Sequence, residues 1–251
     1  MLIWIAAALY FMIGASVFSF LNVVVWRLPR GESVIHGRSR CPGCGKTLSA
    51  LELIPCLSYL ALRGRCRSCK ARIPMRDFWV ELLGGAGALL CLLRAERDLL
   101  RAGLFFAVLF VLMAVALLDR DTMEIPDRFH VLLLLCAVGH GVLFPEIAIP
   151  ERVLGCLCVS IPMLLLALLI PGGFGGGDIK LMFAMGLLLG WKRTLLAAFL
   201  AILSGGIWCG VLLAKGRGRN AQFPFGPFLC VGGGAALLFG REILAWYTAF
   251  W

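Results

Sequence analysis

The sequence predicts an all-α, polytopic integral membrane protein of about eight transmembrane helices with a small cytoplasmic zinc-binding insertion. Three observations predict it. Of 251 residues, 61% are hydrophobic and only 15% charged, with a mean hydropathy of +0.94, a composition that soluble globular domains do not have. The runs 2–26, 102–118, 153–177 and 194–214 contain no Lys, Arg, Asp or Glu, and each is near or above the length that crosses a hydrocarbon core. The one long polar stretch, residues 27–77, carries four of the eleven cysteines in two C-x2-C pairs.

In chain order, residues 1–26 form the first membrane helix. A cleaved signal peptide would need a basic start and a small-residue cleavage site, and this run has neither before Arg27. Residues 27–77 form the polar domain, and 78–251 a polytopic membrane domain. Within the last, shorter or less pure spans at 78–93, 129–144, 179–190 and 228–250 complete the eight. If the N-terminus lies outside, the inward segments hold eleven Lys/Arg between Arg27 and Arg76 plus Arg120, Arg128, Lys180, Lys215, Arg217 and Arg219. Seventeen of the twenty-four basic residues are then cytoplasmic. This positive-inside bias explains the net charge of +10 through membrane topology and lipid headgroups, with no nucleic-acid partner. Nothing in the sequence sets an oligomeric state.

Cys41 and Cys44, in CPGCG, stand twenty-one residues before Cys66 and Cys69, in RCRSCK. Two such knuckles can place four thiolates around one Zn²⁺, and a domain in a reducing compartment does not favour disulfides. Four sulfur ligands leave no open position for a water, so the metal is structural. The remaining cysteines, Cys56, Cys91, Cys136, Cys156, Cys158, Cys209 and Cys230, read as small apolar packers.

Carboxylates at the ends of apolar spans are functional candidates, because an ionisable group at membrane depth costs roughly 2.5–3.5 kcal/mol on insertion scales. Asp119 follows VLMAVALL directly, closer to the bilayer than Asp121 or Asp127. Asp127, after Pro126 and before an apolar run, reads as a cap or first-turn acid. Asp178 closes a glycine run, where the backbone can open to water and let a chain approach closely, or where it simply begins a helix. Paired aspartates can hydrolyse a peptide bond, one activating water while the other protonates the carbonyl oxygen or the leaving amine. Other chemistries lack their residues: there is no H-E-x-x-H, no G-K-[ST] ending to the glycine loop and no G-x-S-x-G.

The ordered set SFLNVVVWRLP (19–29), the double C-x2-C, IPCLSYLALRGRC (54–66), VELLGG (80–85), LLDRDTMEIPD (117–127) and GGGDIKL (175–181) resembles the prepilin peptidases, the type IV leader peptidases. The resemblance covers most of the chain. It implies an intramembrane aspartyl protease of the GxGD type, with Asp119 and Asp178 as the catalytic pair and Gly175, Gly177 and Lys180 supporting the loop. It also implies prepilin and pseudopilin substrates of pilus and type II secretion systems, cleaved at the cytoplasmic face of the bacterial inner membrane. Methylation of the new N-terminal amine with S-adenosylmethionine is implied for many members with the cysteine domain. ALELIP and RDFWVELLGG depart from the commoner family pattern in the region linked to methylation. No G-x-G-x-x-G follows a strand, so the residues that bind this cofactor are unassigned; Gly84, Gly85 and Gly87 are candidates, with helix packing as their alternative use. Glu52 and Glu81 are candidates to hold the substrate amine, with solvation or capping as alternatives. Two rivals from other classes remain at this point: a transporter or channel using Asp119 and Asp178 as ion relays, and a catalytically inactive assembly factor.

Overall fold

The structure, a computed structural model, describes residues 2–170, 174–215 and 223–249. Gly172 and Gly173 of the glycine run, the inward charges Arg217 and Arg219, and the last residue of the span expected over 228–250 lie outside the described residues. Among the described residues the regular structure is helical, apart from two isolated β-bridges. The helices are α1 (Leu2–Arg27), α2 (Leu57–Ala61), α3 (Met75–Arg94), α4 (Leu99–Thr122), α5 (Asp127–Leu143), α6 (Ile149–Leu169), α7 (Gly176–Ala214) and α8 (Gly226–Thr248). The chain forms two compact units, Met1–Phe106 and Ala107–Trp251.

In the first unit α1 runs through its uncharged stretch and stops at Leu28–Arg30, where Pro29 enters and Gly31 takes a left-handed φ of 68°. The Arg27 guanidinium then donates to the carbonyls of Ser33, His36 and Arg38, tying the start of the polar segment to the helix end. α3 returns antiparallel along α1, and the two backbones touch: a Cβ on Gly14 would lie 2.5 Å from the Gly84 carbonyl oxygen, and one on Gly84 would lie 2.3 Å from Phe18 Cγ. Gly85 meets the Phe11 ring in the same way. Close helix packing therefore occupies Gly84 and Gly85, the alternative use expected of them.

In the second unit α6 packs on α7, and α7 on α5 and α8. Gly155 and Gly186 bring α6 and α7 into backbone contact, since a Cβ on Gly186 would fall 2.1 Å from the Gly155 carbonyl oxygen. The 39 residues of α7 are too many for one crossing, and they are interrupted at Gly190, whose φ of 71° and ψ of 168° are open in practice only to glycine. The two halves measure roughly 21 Å and 36 Å at 1.5 Å per residue. Carbonyls beside the break find side-chain donors. Buried Arg152 donates from Nη1 to Leu187 at 2.8 Å, and Thr194 Oγ1 donates to Gly190 at 2.7 Å.

The span count differs from the eight expected. Among the described residues, five helices are long and apolar enough to cross a membrane: α1, α4, α6, α7 and α8. The expected spans 179–190 and 194–214 are the two halves of α7. The other two, α3 and α5, form as helices but carry Arg76, Asp77, Glu81 and Arg94 in the first case, and only 17 residues with Asp127, Arg128, His130 and His140 in the second. α6 ends at Leu169 and does not extend to 177.

Candidate active site and four-cysteine centre

The two cysteine knuckles are built alike. In each, the first cysteine's N–H donates across the turn, Cys41 to Lys46 and Cys66 to Ala71, and its carbonyl accepts from the residue after the second cysteine, Gly45 or Lys70. That residue has positive φ in both, 71° at Gly45 and 60° at Lys70, and an antiparallel bridge closes each base, Arg40 to Thr47 and Arg65 to Arg72. The four Sγ atoms lie within 4.8 Å of one another, and those of Cys41 and Cys69 are 3.7 Å apart. Sulfurs at about 2.3 Å from a tetrahedral zinc stand about 3.8 Å from each other, so the donor set fits a metal of that kind. All eleven cysteines are free thiols. N–H groups of Cys69 and Ser68, aimed at the Cys66 sulfur, draw its thiol down to about 6, against the opposing cost of burial.

Asp119 is held at the end of α4 by local geometry. Its carbonyl accepts from Met123 N–H at 2.8 Å, and Met123, at φ 56°, ends the helix. The carboxylate is 7% exposed, and Oδ2 accepts from the N–H of Gly226, the first residue of α8, at 2.9 Å. Donors at a helix N-terminus complement negative charge. Gly226 also has to be glycine for this approach, because a Cβ there would lie 2.6 Å from the same oxygen. Asp121 and Asp127 are exposed.

Asp178 is the third residue of α7, also 7% exposed, and its Oδ1 is buried with no hydrogen-bond partner among the described residues. The glycines before it fit the loop closely around it. Gly175 accepts the Asp178 N–H at 3.1 Å, and a Cβ on Gly177 would come within 3.0 Å of Ile125 Cβ. The loop is fastened to α5 at two points: His130 Nε2 lies 2.9 Å from the Gly177 carbonyl oxygen, and Lys180 Nζ donates to Asp127 Oδ1 at 2.6 Å. Asp127 occupies the first turn of α5, as expected, and pairs there with Lys180.

Asp119 and Asp178 line one cleft of about 330 Å³, together with Met123, Glu124, Ile125 and Gly175 to Gly177. An aromatic group stands beside the loop, Phe174 against Phe225 edge-on at 5.8 Å and Phe225 against Phe228 at 6.4 Å. Two buried carboxylates opening on one cleft can share a proton and split a water between them, which is the requirement for acid–base hydrolysis. His130 and Gly226 escaped the sequence reading. A His three residues after the Asp of a Pro-Asp start, and a Gly-Pro pair opening an apolar span, are the only traces they leave there.

Two family models match the chain in succession: the bacterial peptidase A24 N-terminal domain over residues 12–95, and the type IV leader peptidase family over residues 104–210. The prepilin leader peptidase/N-methyltransferase of Aeromonas salmonicida is 33% identical over 279 residues, covering 98% of this chain and 95% of its own. That of Bacillus subtilis is 33% identical over 245 residues, covering 96% and 97%, and that of Pseudomonas aeruginosa 34% identical over 273 residues, covering 95% and 92%. No solved structure matches. A third of the residues shared along nearly the whole length, with both models matched in order, means that the chain belongs to the type IV leader peptidase family, among the prepilin leader peptidases/N-methyltransferases.

Proposed function

We propose that this chain removes the short basic leader from type IV prepilins or pseudopilins at the cytoplasmic face of the bacterial inner membrane, and then methylates the newly exposed N-terminal amine. The observation that carries the reading is the cleft in which Asp119 and Asp178, delivered by the ends of separate helices, are the buried carboxylates. One carboxylate takes a proton from water as the oxygen attacks the scissile carbonyl. The other, protonated, donates to the carbonyl oxygen, and the proton removed from water then passes to the leaving amine as the carbon–nitrogen bond breaks. Gly226 N–H fixes one oxygen of Asp119, and the His130 and Lys180 contacts hold the loop that carries Asp178. Gly176 leaves room for an extended segment at the cleft: nothing stands within 4 Å of a Cβ there. The substrate's apolar helix, lying among lipid and the enzyme's own helices, would deliver its leader junction to this edge of the membrane, so that binding energy positions the bond to be cut.

Cys41, Cys44, Cys66 and Cys69 would hold a structural Zn²⁺ that stabilises residues 27–77 on the cytoplasmic side. S-adenosylmethionine would supply the methyl group. The test is mass spectrometry of a precursor peptide, with leader and hydrophobic segment, after incubation with the purified chain and S-adenosylmethionine in detergent. Loss of the leader with one added methyl is the expected result. An intact precursor, with the protein folded, would overturn the reading.

A further inference from the structure

The peptidase family model begins at residue 104 and includes both aspartates, which leaves residues 12–95 to supply whatever else the chain does. Inside that segment, on the seam between α1 and α3, lies a set of polar groups that cleavage does not use. One hydrogen bond crosses the seam, from Asn22 Nδ2 to the Asp77 carbonyl at 3.2 Å. Glu81 is four residues on from Asp77 along α3, and Ser19, which faces Glu81, is three residues before Asn22 on α1, so Glu81 lies beside this bond along the seam.

Three features distinguish this set from a satisfied helix contact. Asn22 must turn its Nδ2 toward the Asp77 carbonyl, which fixes its Oδ1 as an acceptor, and that oxygen is buried with no donor among the described residues. Glu81 is half-buried yet has no cationic partner among the described residues; the N–H of Cys56 reaches its Oε2 at 2.7 Å. Asp77, by contrast, has the Arg76 guanidinium 3.7 Å away. Finally, Cys56 itself is buried and sits at φ 59°, ψ −46°, a backbone conformation that a non-glycine residue keeps only when its surroundings enforce it, and Glu81 is what holds its N–H. Glu52, by contrast, is used up locally. Both the N–H and the hydroxyl of Ser49 donate to its Oε2 at 2.8 Å, closing a capping box and holding its carboxyl below the usual range.

We propose that Glu81 and Asn22 form a binding site for a primary ammonium group, the free N-terminus of a processed peptide. An acceptor without a donor and a part-buried carboxylate without a cation lack what an ammonium brings, three N–H donors and one positive charge. The proposal rests on the functional reading above, because leader removal is the reaction that generates such an amine.

The test uses the full chain in detergent, without S-adenosylmethionine, and two peptides with the sequence of a mature substrate N-terminus: one with a free amine, the other N-acetylated. Calorimetric titration should find the free amine bound on the order of 10- to 100-fold more tightly, the scale of one charge-assisted contact. Glu81→Gln, whose amide oxygen can still accept from Cys56 N–H, should abolish that preference while the acetylated peptide binds as before. Asn22→Leu should reduce it. Equal binding of the two peptides by the unaltered chain, or a preference that survives in Glu81→Gln, would overturn the proposal. Because both peptides are already processed, a chain that cleaves precursors but shows no amine preference sinks this site and leaves the cleavage reading standing, whereas failure to cleave is read separately from the precursor.

Discussion

Gly226 determines where one oxygen of Asp119 sits. The N–H of Gly226 holds Oδ2 at 2.9 Å, and the missing side chain leaves room for the carboxylate to approach. Gly226→Ala would place a methyl 2.6 Å from that oxygen, so the carboxylate must move. Misplacing a reacting group by about 1 Å can cost about 100-fold in rate. The variant should therefore lose roughly 10- to 100-fold in kcat with KM for a precursor peptide nearly unchanged. A purely structural glycine would instead lower the thermal midpoint and leave the turnover of the folded fraction intact, so steady-state kinetics beside a melting curve decides. Asp119 is legible in the sequence because it interrupts an uncharged run at its very end. Gly226 is not, because its partner is 107 residues away and the pairing exists only once α4 and α8 are folded. His130 escapes for the same reason: its partner is a backbone carbonyl on α7, and carbonyls leave no mark on composition. Lys180 is visible as part of GGGDIKL, but its Asp127 partner is not.

Among the elements, the knuckles and α7 make separate demands. Each knuckle needs a residue in left-handed conformation just after its second cysteine; the first supplies Gly45, while the second tolerates Lys70. Their equivalence follows directly from the two C-x2-C spacings, which is why this centre is readable in advance. Replacing Cys66 with Ser removes one of four sulfur ligands and the thiol already drawn toward thiolate by its neighbours' N–H groups. Zinc content by atomic emission should fall from about one per chain to well below half, with faster proteolysis within residues 27–77, given that a four-thiolate site contributes folding energy directly. Full zinc occupancy would rule out the four-thiolate arrangement. In α7, the sequence places a boundary near 190 through the charges Lys192 and Arg193, but the physical cause is the backbone of Gly190. Gly190→Ala forces a side chain into a conformation costing about 1–3 kcal/mol, and its Cβ would also press on Ile147 at 3.1 Å. A lower thermal midpoint is the expected outcome; an unchanged one would mean that α7 can straighten without loss.

Across the whole molecule, apolar runs and charge placement convey the membrane class, and the ordered motifs convey the family. They do not convey how many helices cross. α3 carries Glu81, which accepts from Cys56 N–H, and α5 carries Asp127, which pairs with Lys180, and composition counts such charges against a span. Both aspartates fall within residues 104–210, and the cysteine centre and the Glu81 seam within 12–95. The central claim is that Asp119 and Asp178 together cleave the peptide bond. The measurement that tests it most directly is the single-turnover rate of precursor cleavage by Asp119→Asn and Asp178→Asn, each checked for its thermal midpoint in detergent. The two-carboxylate account predicts that each variant folds and loses at least about 1,000-fold in rate, at the scale of removing a group that acts in the transition state. Cleavage at the normal rate by either folded variant would contradict it.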